Sequence, residues 1–356
     1  MATLNIQKET REHAEVVLKG TLSTEVITPF WEKAIAMAVQ EVAVSGFRKG
    51  HAPKERVIEE VGKKFLWKQA ADLALREKID TVLEEEKVVP ILPITIVFAE
   101  TEPDADVSFE ITVVTPPTST IEKPQDVAQK SLDALPKENV AEELKAAKRA
   151  FRTQVRAISK MKNPADVKEG DAKENEEKAD EPLTDDEAKL VGFENGKAVE
   201  HFIEGEAEKA VADRSQQKKR GAVAEALIAA STYAVPRIMI ADEAKALTEA
   251  FKKDVVAQNM EWTEYLKRTG KNEAQLTNEF KPQAEKRIAL DLIFATILKE
   301  SSFELSEEEK KKEEEFAHKL VDQGVDHQKA HAYTHEQFLR EKVWEYLGIK
   351  NETAVS

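Results

Sequence analysis

Between positions 46 and 53 the chain reads Gly46-Phe47-Arg48-Lys49-Gly50-His51-Ala52-Pro53. Two glycines frame an aromatic ring and two cations, and a proline closes the stretch. Glycine enters backbone regions that other residues avoid, and proline fixes its own φ. The spacing predicts a tight exposed loop whose tip presents Phe47, Arg48 and Lys49 together. A ring beside two cations suits a wet, anionic surface such as RNA with its bound proteins. The chemistry is recognition rather than bond-making. A second pattern is His327, His331 and His335, which recur at every fourth position, so a helix would stack them on one side. Transition metals favour that spacing. Gly324 lies close and no supporting carboxylate pattern accompanies them, so surface or packing histidines are expected and no metal. No nucleophile–base pairing, phosphate loop or zinc motif stands out. No catalytic residue is assigned, and no cofactor is expected.

The elements that must position the loop follow from periodicity. Residues 3–8 and 13–20 read as two strands joined by a short turn. Thr28 before Pro29 is a good helix start, and Phe30, Ala34, Met37, Ala38 and Val42 recur at helical spacing up to the loop. After Pro53 a short helix carries Val57, Ile58 and Val61 and stops near Gly62. A longer helix follows, with Trp67, Ala71, Leu75, Ile79 and Val82 on one face. Residues 94–99 form a strand. Residues 107–113 alternate, with Val107, Phe109, Ile111 and Val113 inward. The fold class is an α+β N-terminal domain, a small antiparallel sheet with helices on one face, followed by a mostly α-helical C-terminal domain.

Beyond Pro116-Pro117 an extended segment runs to Pro124, and a helix is expected over 137–160. Between Lys162 and Pro182 acidic and lysine residues dominate, and such a stretch buries too little apolar area to offset its ordering entropy. A flexible acidic linker is expected there. Thr184 and Glu187 form a capping box that restarts helix. Helices are then expected over 215–231, 241–258, 262–269, 272–299 and 306–321, with breaks or kinks at Pro236, Gly270, Pro282 and Gly324 and a second capping box at Ser306 and Glu309.

Composition narrows the function classes. The 356-residue chain has room for two or three domains. It has no cysteine, which excludes disulfides and thiolate chemistry. Residues 1–8 are polar and strand-like, with no apolar signal region, and no stretch is apolar enough to span a bilayer, so a cytoplasmic protein without a membrane partner is expected. The net charge of −15 argues against a general nucleic-acid binder. Cations nevertheless concentrate locally: Arg48, Lys49, Lys54, Arg56, Lys63, Lys64 and Lys68 stand against Glu55, Glu59 and Glu60. An acidic protein with one basic end approaches an anionic partner in a preferred orientation.

The pattern G-F-R-x-G-x-x-P, carried here by Gly46, Phe47, Arg48, Gly50 and Pro53, resembles the ribosome-docking signature of trigger factor, a bacterial chaperone family. Far along the chain, Tyr265-Leu266-Lys267-Arg268-Thr269-Gly270-Lys271, followed by Asn272-Glu273-Ala274-Gln275-Leu276, resembles a recurring turn in that family's helical C-terminal domain. The stretch from Val235-Pro236 through Ala244 is similar to the same domain. The resemblance is clearest over residues 1–125 and 184–300. It implies a ribosome-docking domain at 1–115, an intervening segment of 116–183 and a helical chaperone domain at 184–356, with arm-like extensions around a cradle. It also implies the partners: tunnel-exit protein and rRNA of the ribosome, and unfolded nascent polypeptides, shielded without ATP. A weak homodimer off the ribosome stays open.

Trigger factors usually insert a prolyl isomerase domain of the FKBP fold before the helical domain. The interval from 126 to 183 holds no tryptophan or tyrosine and only Phe151. Isomerisation needs an apolar pocket that desolvates the imide, so no isomerase activity is expected. Gly192-Phe193-Glu194-Asn195-Gly196 superficially resembles an FKBP string, but stands without flanking strands and reads as a turn between helices. For client contacts the candidates are Ile238, Met239, Ile240, Phe251, Met260, Trp262 and Tyr265, since methionine and aromatic side chains suit promiscuous binding; filling the inter-helix core is the competing role. Two other functions remain open: a prolyl isomerase with an unrecognised site, and a ribosome-associated interaction protein without chaperone activity.

Overall fold

The computed structural model describes residues 6–137, 139–162, 178–301 and 303–350. The chain divides into two compact units, each built from two stretches: residues 1–120 with 232–292, and residues 121–231 with 293–356.

The first unit starts with strands β1 (Gln7–Arg11) and β2 (Glu15–Leu22), helices α1 (Thr24–Glu41), α2 (Lys54–Val61) and α3 (Lys63–Glu85), and strands β3 (Thr95–Phe98) and β4 (Val107–Val114). The sheet is antiparallel in the order β1-β2-β4-β3. On β4 the expected alternation holds: Val107, Phe109, Ile111 and Val113 are buried, and Ser108 is exposed. They pack with Leu18 and Leu22 of β2, Ile27 and Ala34 of α1, and Trp67, Ala71, Leu75 and Val82 of α3. Burying each large apolar side chain contributes roughly 1.5–3 kcal/mol, so this layer fixes where α1 and α3 sit.

Strand β2 lies two residues further along the chain than the expected 13–20, and β1 runs on to Arg11; residues 3–5 of the expected first strand lie outside the described residues. Pairing with β4, from Glu15 opposite Val114 to Leu22 opposite Val107, sets the register of β2, and that is long-range information; β1 then pairs with β2, from Gln7 opposite Lys19 to Arg11 opposite Glu15. Helix α1 likewise begins upstream of Thr28. The Asp106 carboxylate, on the loop entering β4, accepts from the Thr24 backbone N–H at 2.8 Å and from its hydroxyl at 3.0 Å. This non-local cap starts the helix at Thr24 and leaves Pro29 inside it.

The unit is completed by a small ladder of β5 (Thr118–Thr120) and β6 (Thr232–Ala234) and by α8 (Arg237–Ala257), α9 (Trp262–Thr269) and the start of α10 (Glu273–Ser301). Pro282 lies inside α10 and does not end it. Val235, Ile240, Ala244 and Ala284 form one cluster along these helices; Val255, Trp262 and Leu276 form another.

The second unit contains α4 (Pro124–Ala134), α5 (Val140–Lys162), α6 (Asp185–Val191), α7 (Gly196–Ala230), α11 (Glu307–Asp322) and α12 (His327–Tyr346). Helix α4 replaces part of the stretch between Pro124 and Lys137 that the sequence pattern left without an element. Pro124 occupies its first turn, where a missing N–H costs nothing. Helix α7 begins at Gly196, well before Ser215. Both expected capping boxes form, Thr184 with Glu187 and Ser306 with Glu309.

Most of the expected acidic linker lies outside the described residues. Its described end is held in place. The Arg156 guanidinium, 3% exposed, donates to the carbonyls of Lys178, Glu181 at 2.9 Å and Pro182 at 3.2 Å, and to Glu187 Oε1 at 3.1 Å. Arg152 forks onto Glu200, with Nη2 at 2.7 Å from Oε2. Around these pairs Leu183, Ala188, Val199 and Ile203 bury against Phe151, Val155, Val191 and Phe193. Gly192, at φ +100°, ends α6, and Asn195 caps α7 by accepting from the Ala198 N–H. Gly192 to Gly196 is therefore a turn between two helices.

Candidate functional site

The loop between α1 and α2 is two consecutive turns. The Phe47 N–H donates to the Val44 carbonyl at 3.1 Å, and the His51 N–H donates to the Arg48 carbonyl at 3.0 Å. Glycine stands third in each, Gly46 at φ +85° and Gly50 at φ +83°. Ser45 and Lys49, the residues before them, stay at negative φ. That combination is type II turn geometry, which favours glycine at its third position.

The ends of the loop are anchored. Val44 and Ala52 are each 8% exposed and share a cluster with Ile35 and Ala38 of α1, Val57 of α2 and Leu66 of α3. Between the anchors everything from Ser45 to Lys49 is exposed, including Phe47 at 43%. A phenylalanine ring left in water at a rigid turn is an unfavourable use of an apolar side chain unless a partner covers it.

Charge pairing separates the cations of this region into two groups. Lys54 pairs with Glu32, Arg56 with Glu59 at 3.0 Å, and Lys64 with Glu100 at 3.1 Å and Glu102 at 3.4 Å. Hydrogen bonds to Glu32 and to Glu100 hold Lys54 and Lys64 above the usual lysine range. Such exposed pairs contribute little stability, but they cancel local positive charge. Arg48 and Lys49 have no ion pair or side-chain hydrogen bond with any described residue. The basic stretch from Arg48 to Lys68 is therefore less basic in space than in sequence, and its free charge includes the loop tip. Glu32, Glu100 and Glu102 were invisible to a local reading because they reach in from other elements.

The client candidates separate into two places. Ile238 is 45% exposed at the start of α8, while Met239 is half-buried and Ile240 is 6% exposed, both in the first α8–α10 cluster. Phe251, Met260, Trp262 and Tyr265 come together at the α8–α9–α10 junction. Trp262 stacks on Tyr265 with ring centroids 5.5 Å apart and planes 9° apart, and Phe251 meets Tyr265 edge-on at 5.3 Å. The Trp262 indole N–H donates to Glu273 Oε2 at 3.2 Å. Trp262 is 8% exposed, whereas Phe251, Met260 and Tyr265 are half-buried.

A groove in the second unit escaped the sequence reading. Val140, Leu144, Val211 and Ile349 line a cavity of about 590 Å³, with Lys219 and Lys350 beside them. Val140 is 58% exposed. These residues come from α5, α7 and the chain after α12, so no local pattern groups them.

The histidines divide as well. His335 Nδ1 lies 3.0 Å from Glu313 Oε1, while His327 and His331 contact each other and His331 also meets His318. Among the described residues no group of three or more His, Asp or Glu side chains could hold a metal ion. No described helix is long and apolar enough to cross a membrane.

Two family models match the chain. Residues 4–147 match one described as bacterial trigger factor protein, and residues 197–347 match one described as bacterial trigger factor protein C-terminus. Curated relatives include the trigger factor of Fusobacterium nucleatum, 22% identical over 393 positions covering 86% of this chain and 87% of the relative. That of Halalkalibacterium halodurans is 23% identical, covering 89% and 90%. A shorter match, 31% identical over 129 residues, joins 36% of this chain to 29% of the Moorella thermoacetica trigger factor. The 393 aligned positions exceed the 356 residues of this chain, so the relatives carry residues without a counterpart here. A solved structure concerned with promiscuous substrate recognition by the trigger factor chaperone covers 96% of this chain and 97% of its own, at 14% identity and a TM-score of 0.44.

Proposed function

The chain belongs to the bacterial trigger factor family, and from that premise we propose that it is a ribosome-associated chaperone. It docks through the loop from Gly46 to Pro53 and shields emerging polypeptide by weak, ATP-independent apolar contacts in the cytoplasm. The observation that carries this reading is the loop tip. Phe47, Arg48 and Lys49 stand exposed between two buried anchors, and the two cations have no partner among the described residues. Arg48 and Lys49 meet phosphate or acidic protein groups at the tunnel exit, and Phe47 fills an apolar crevice there.

An emerging chain exposes apolar segments before it can bury them. Scattered apolar side chains on the helical part offer temporary cover, each contact releasing a fraction of the roughly 25 cal/mol per Å² of full burial. Ile238, Met239, Phe251, Met260, Trp262 and Tyr265 are the proposed client contacts. Of these, exposed Ile238 is directly accessible, and the half-buried rings offer their outer edges. Contacts of this size release quickly, so the client's own folding competes successfully with the chaperone.

The protein has no prolyl isomerase activity in this reading. Residues 148–196 lie outside both matching family models. Described residues there form α5, α6 and the turns around them, packed on α7 through Arg152, Arg156 and a small apolar cluster. Two assays test the proposal together. The purified protein suppresses aggregation of a denatured client in stoichiometric amounts, and it leaves a proline-limited refolding reaction at its uncatalysed rate. Failure to suppress aggregation removes the chaperone reading, and acceleration abolished by an FKBP-pocket ligand restores the enzyme.

A further inference from the structure

We propose that the groove lined by α5, α7 and the chain after α12 holds an extended segment of client polypeptide whose apolar residues are followed by acidic ones. Val211 and Ile349 are buried beneath it, Leu144 is half-buried, and Val140 stands 58% exposed at its rim. A second hollow of about 820 Å³ shares Val140, Ser215, Lys219 and Gly348 with the first and extends the groove to half-buried Leu132 and Leu135. All of these residues belong to the second unit. With the chaperone reading as its premise, the groove is a client site apart from the six contacts proposed above, which belong to the first unit.

The shape suits a chain rather than a compact ligand. From Glu208 to Lys219, both on the lining, the α7 face rises roughly 16 Å, the length of about five residues of extended chain. Covering Val140 and the half-buried leucines removes apolar surface from water. Gln216 also lines the groove, and its Nε2 is buried without a hydrogen-bond partner. An unpaired side-chain amide calls for an acceptor, and the backbone carbonyls of an extended chain supply acceptors along its whole length.

Charge selects the segment. Lys137, Lys219 and Lys350 are exposed on the lining and have no ion pair or side-chain hydrogen bond with any described residue, whereas Lys218 pairs with Glu143 at 3.5 Å. Glu208 is the one carboxylate among the lining residues, and it stands at the other end of the α7 face from Lys219. The whole chain carries a net charge of −15, so unpaired cations beside an apolar groove are a local reversal of sign. Complementary charge steers an anionic segment to the groove and turns a cationic one away.

The test uses the full-length protein and two labelled peptides that differ at one flank: leucine, valine and leucine followed by two aspartates, or by two lysines. Fluorescence anisotropy at low salt gives each affinity. The aspartate peptide binds about tenfold more tightly, equivalent to about 1.4 kcal/mol, and the preference shrinks as salt screens the lysines of the groove. Lys219→Glu with Lys350→Glu, both at exposed positions, abolishes the preference while helix content stays unchanged. Val140→Ser weakens both peptides alike. Equal affinities for the two peptides, a preference that survives the double variant, or a Val140→Ser protein that binds as the parent does overturns the proposal. So does a dimer of the protein alone that Val140→Ser dissolves, which gives the groove to a second copy. Aggregation suppression of a denatured client is measured alongside. Suppression without the peptide preference keeps the chaperone and removes this site; the preference without suppression keeps the peptide site and removes the chaperone.

Discussion

Replacing Phe47, Arg48 and Lys49 together by alanine separates docking from folding. The magnitude follows from the loop's geometry. Each cation is exposed and unpaired with any described residue, so each can donate charge-assisted hydrogen bonds to the ribosome, worth roughly 1.5 kcal/mol per contact. Phe47, at 43% exposure, has part of its ring left to bury, roughly 1 kcal/mol more. The sum, about 4 kcal/mol, is about a thousandfold in dissociation constant. The fold has little to lose, because Val44 and Ala52 keep their places in the α1–α2–α3 cluster. Exposed substitutions away from special features change stability by less than about 0.5 kcal/mol each. Affinity is measured by co-sedimentation with vacant ribosomes across a salt series, and stability by denaturant unfolding. The parent's affinity falls as salt screens the two cations, whereas the variant's residual binding is nearly flat. A triple variant that binds ribosomes as the parent does refutes the reasoning.

Gly46→Ala with Gly50→Ala keeps all three tip residues but strains both turns. At φ +85° and +83° each Cβ costs about 1 kcal/mol, and at Gly50 it would stand 3.1 Å from Gln40 Oε1. Ribosome affinity and folding stability together lose about 2 kcal/mol, read by the same two assays. Trp262→Ala removes the ring stacked on Tyr265 and lowers stability by about 3 kcal/mol in denaturant unfolding; an unchanged midpoint with weakened client binding would instead make it a contact rather than core. Acid loosens the α5–α6–α7 module. Burial raises the Glu187 and Glu200 carboxyls, but hydrogen bonds from Thr184 to the first and from Arg152 to the second, with Arg156 close to both, bring them below the ordinary value of 4.5. Their contribution is complete above that value and is lost as pH falls below it through the lowered folded values. Hydrogen exchange of α6 therefore rises in that range, and Arg156→Gln weakens the pH dependence without removing it, because Thr184 and Arg152 still hold the two carboxylates.

The loop from Gly46 to Pro53 was legible because its logic is local. Two glycines, a proline and the short distance between α1 and α2 fix its turns without help from elsewhere. The same holds for the β4 alternation and the two capping boxes, each written within a few residues. What escaped depends on distant partners. Asp106 caps α1 from the loop entering the neighbouring strand β4, distant in sequence, so Thr28-Pro29 gave a false start. The strand register of β2 is set by β4. Gly205 and Gly221 inside α7 weaken its helix signal, and the long helix survives because one face packs Val199, Ile203, Val211 and Leu227. Glu32, Glu100 and Glu102 neutralise lysines that stand alone in sequence.

The most direct measurement of the central claim is position-specific crosslinking on ribosomes carrying a nascent chain. A photoreactive side chain at Phe47, and a control at Phe202, which is 51% exposed on α7, are each irradiated in the bound complex. Position 47 crosslinks to a protein or rRNA segment at the tunnel exit, and position 202 does not reach that partner. Equal crosslinking from both positions, or none from position 47 while the protein still co-sediments, would contradict docking through the loop.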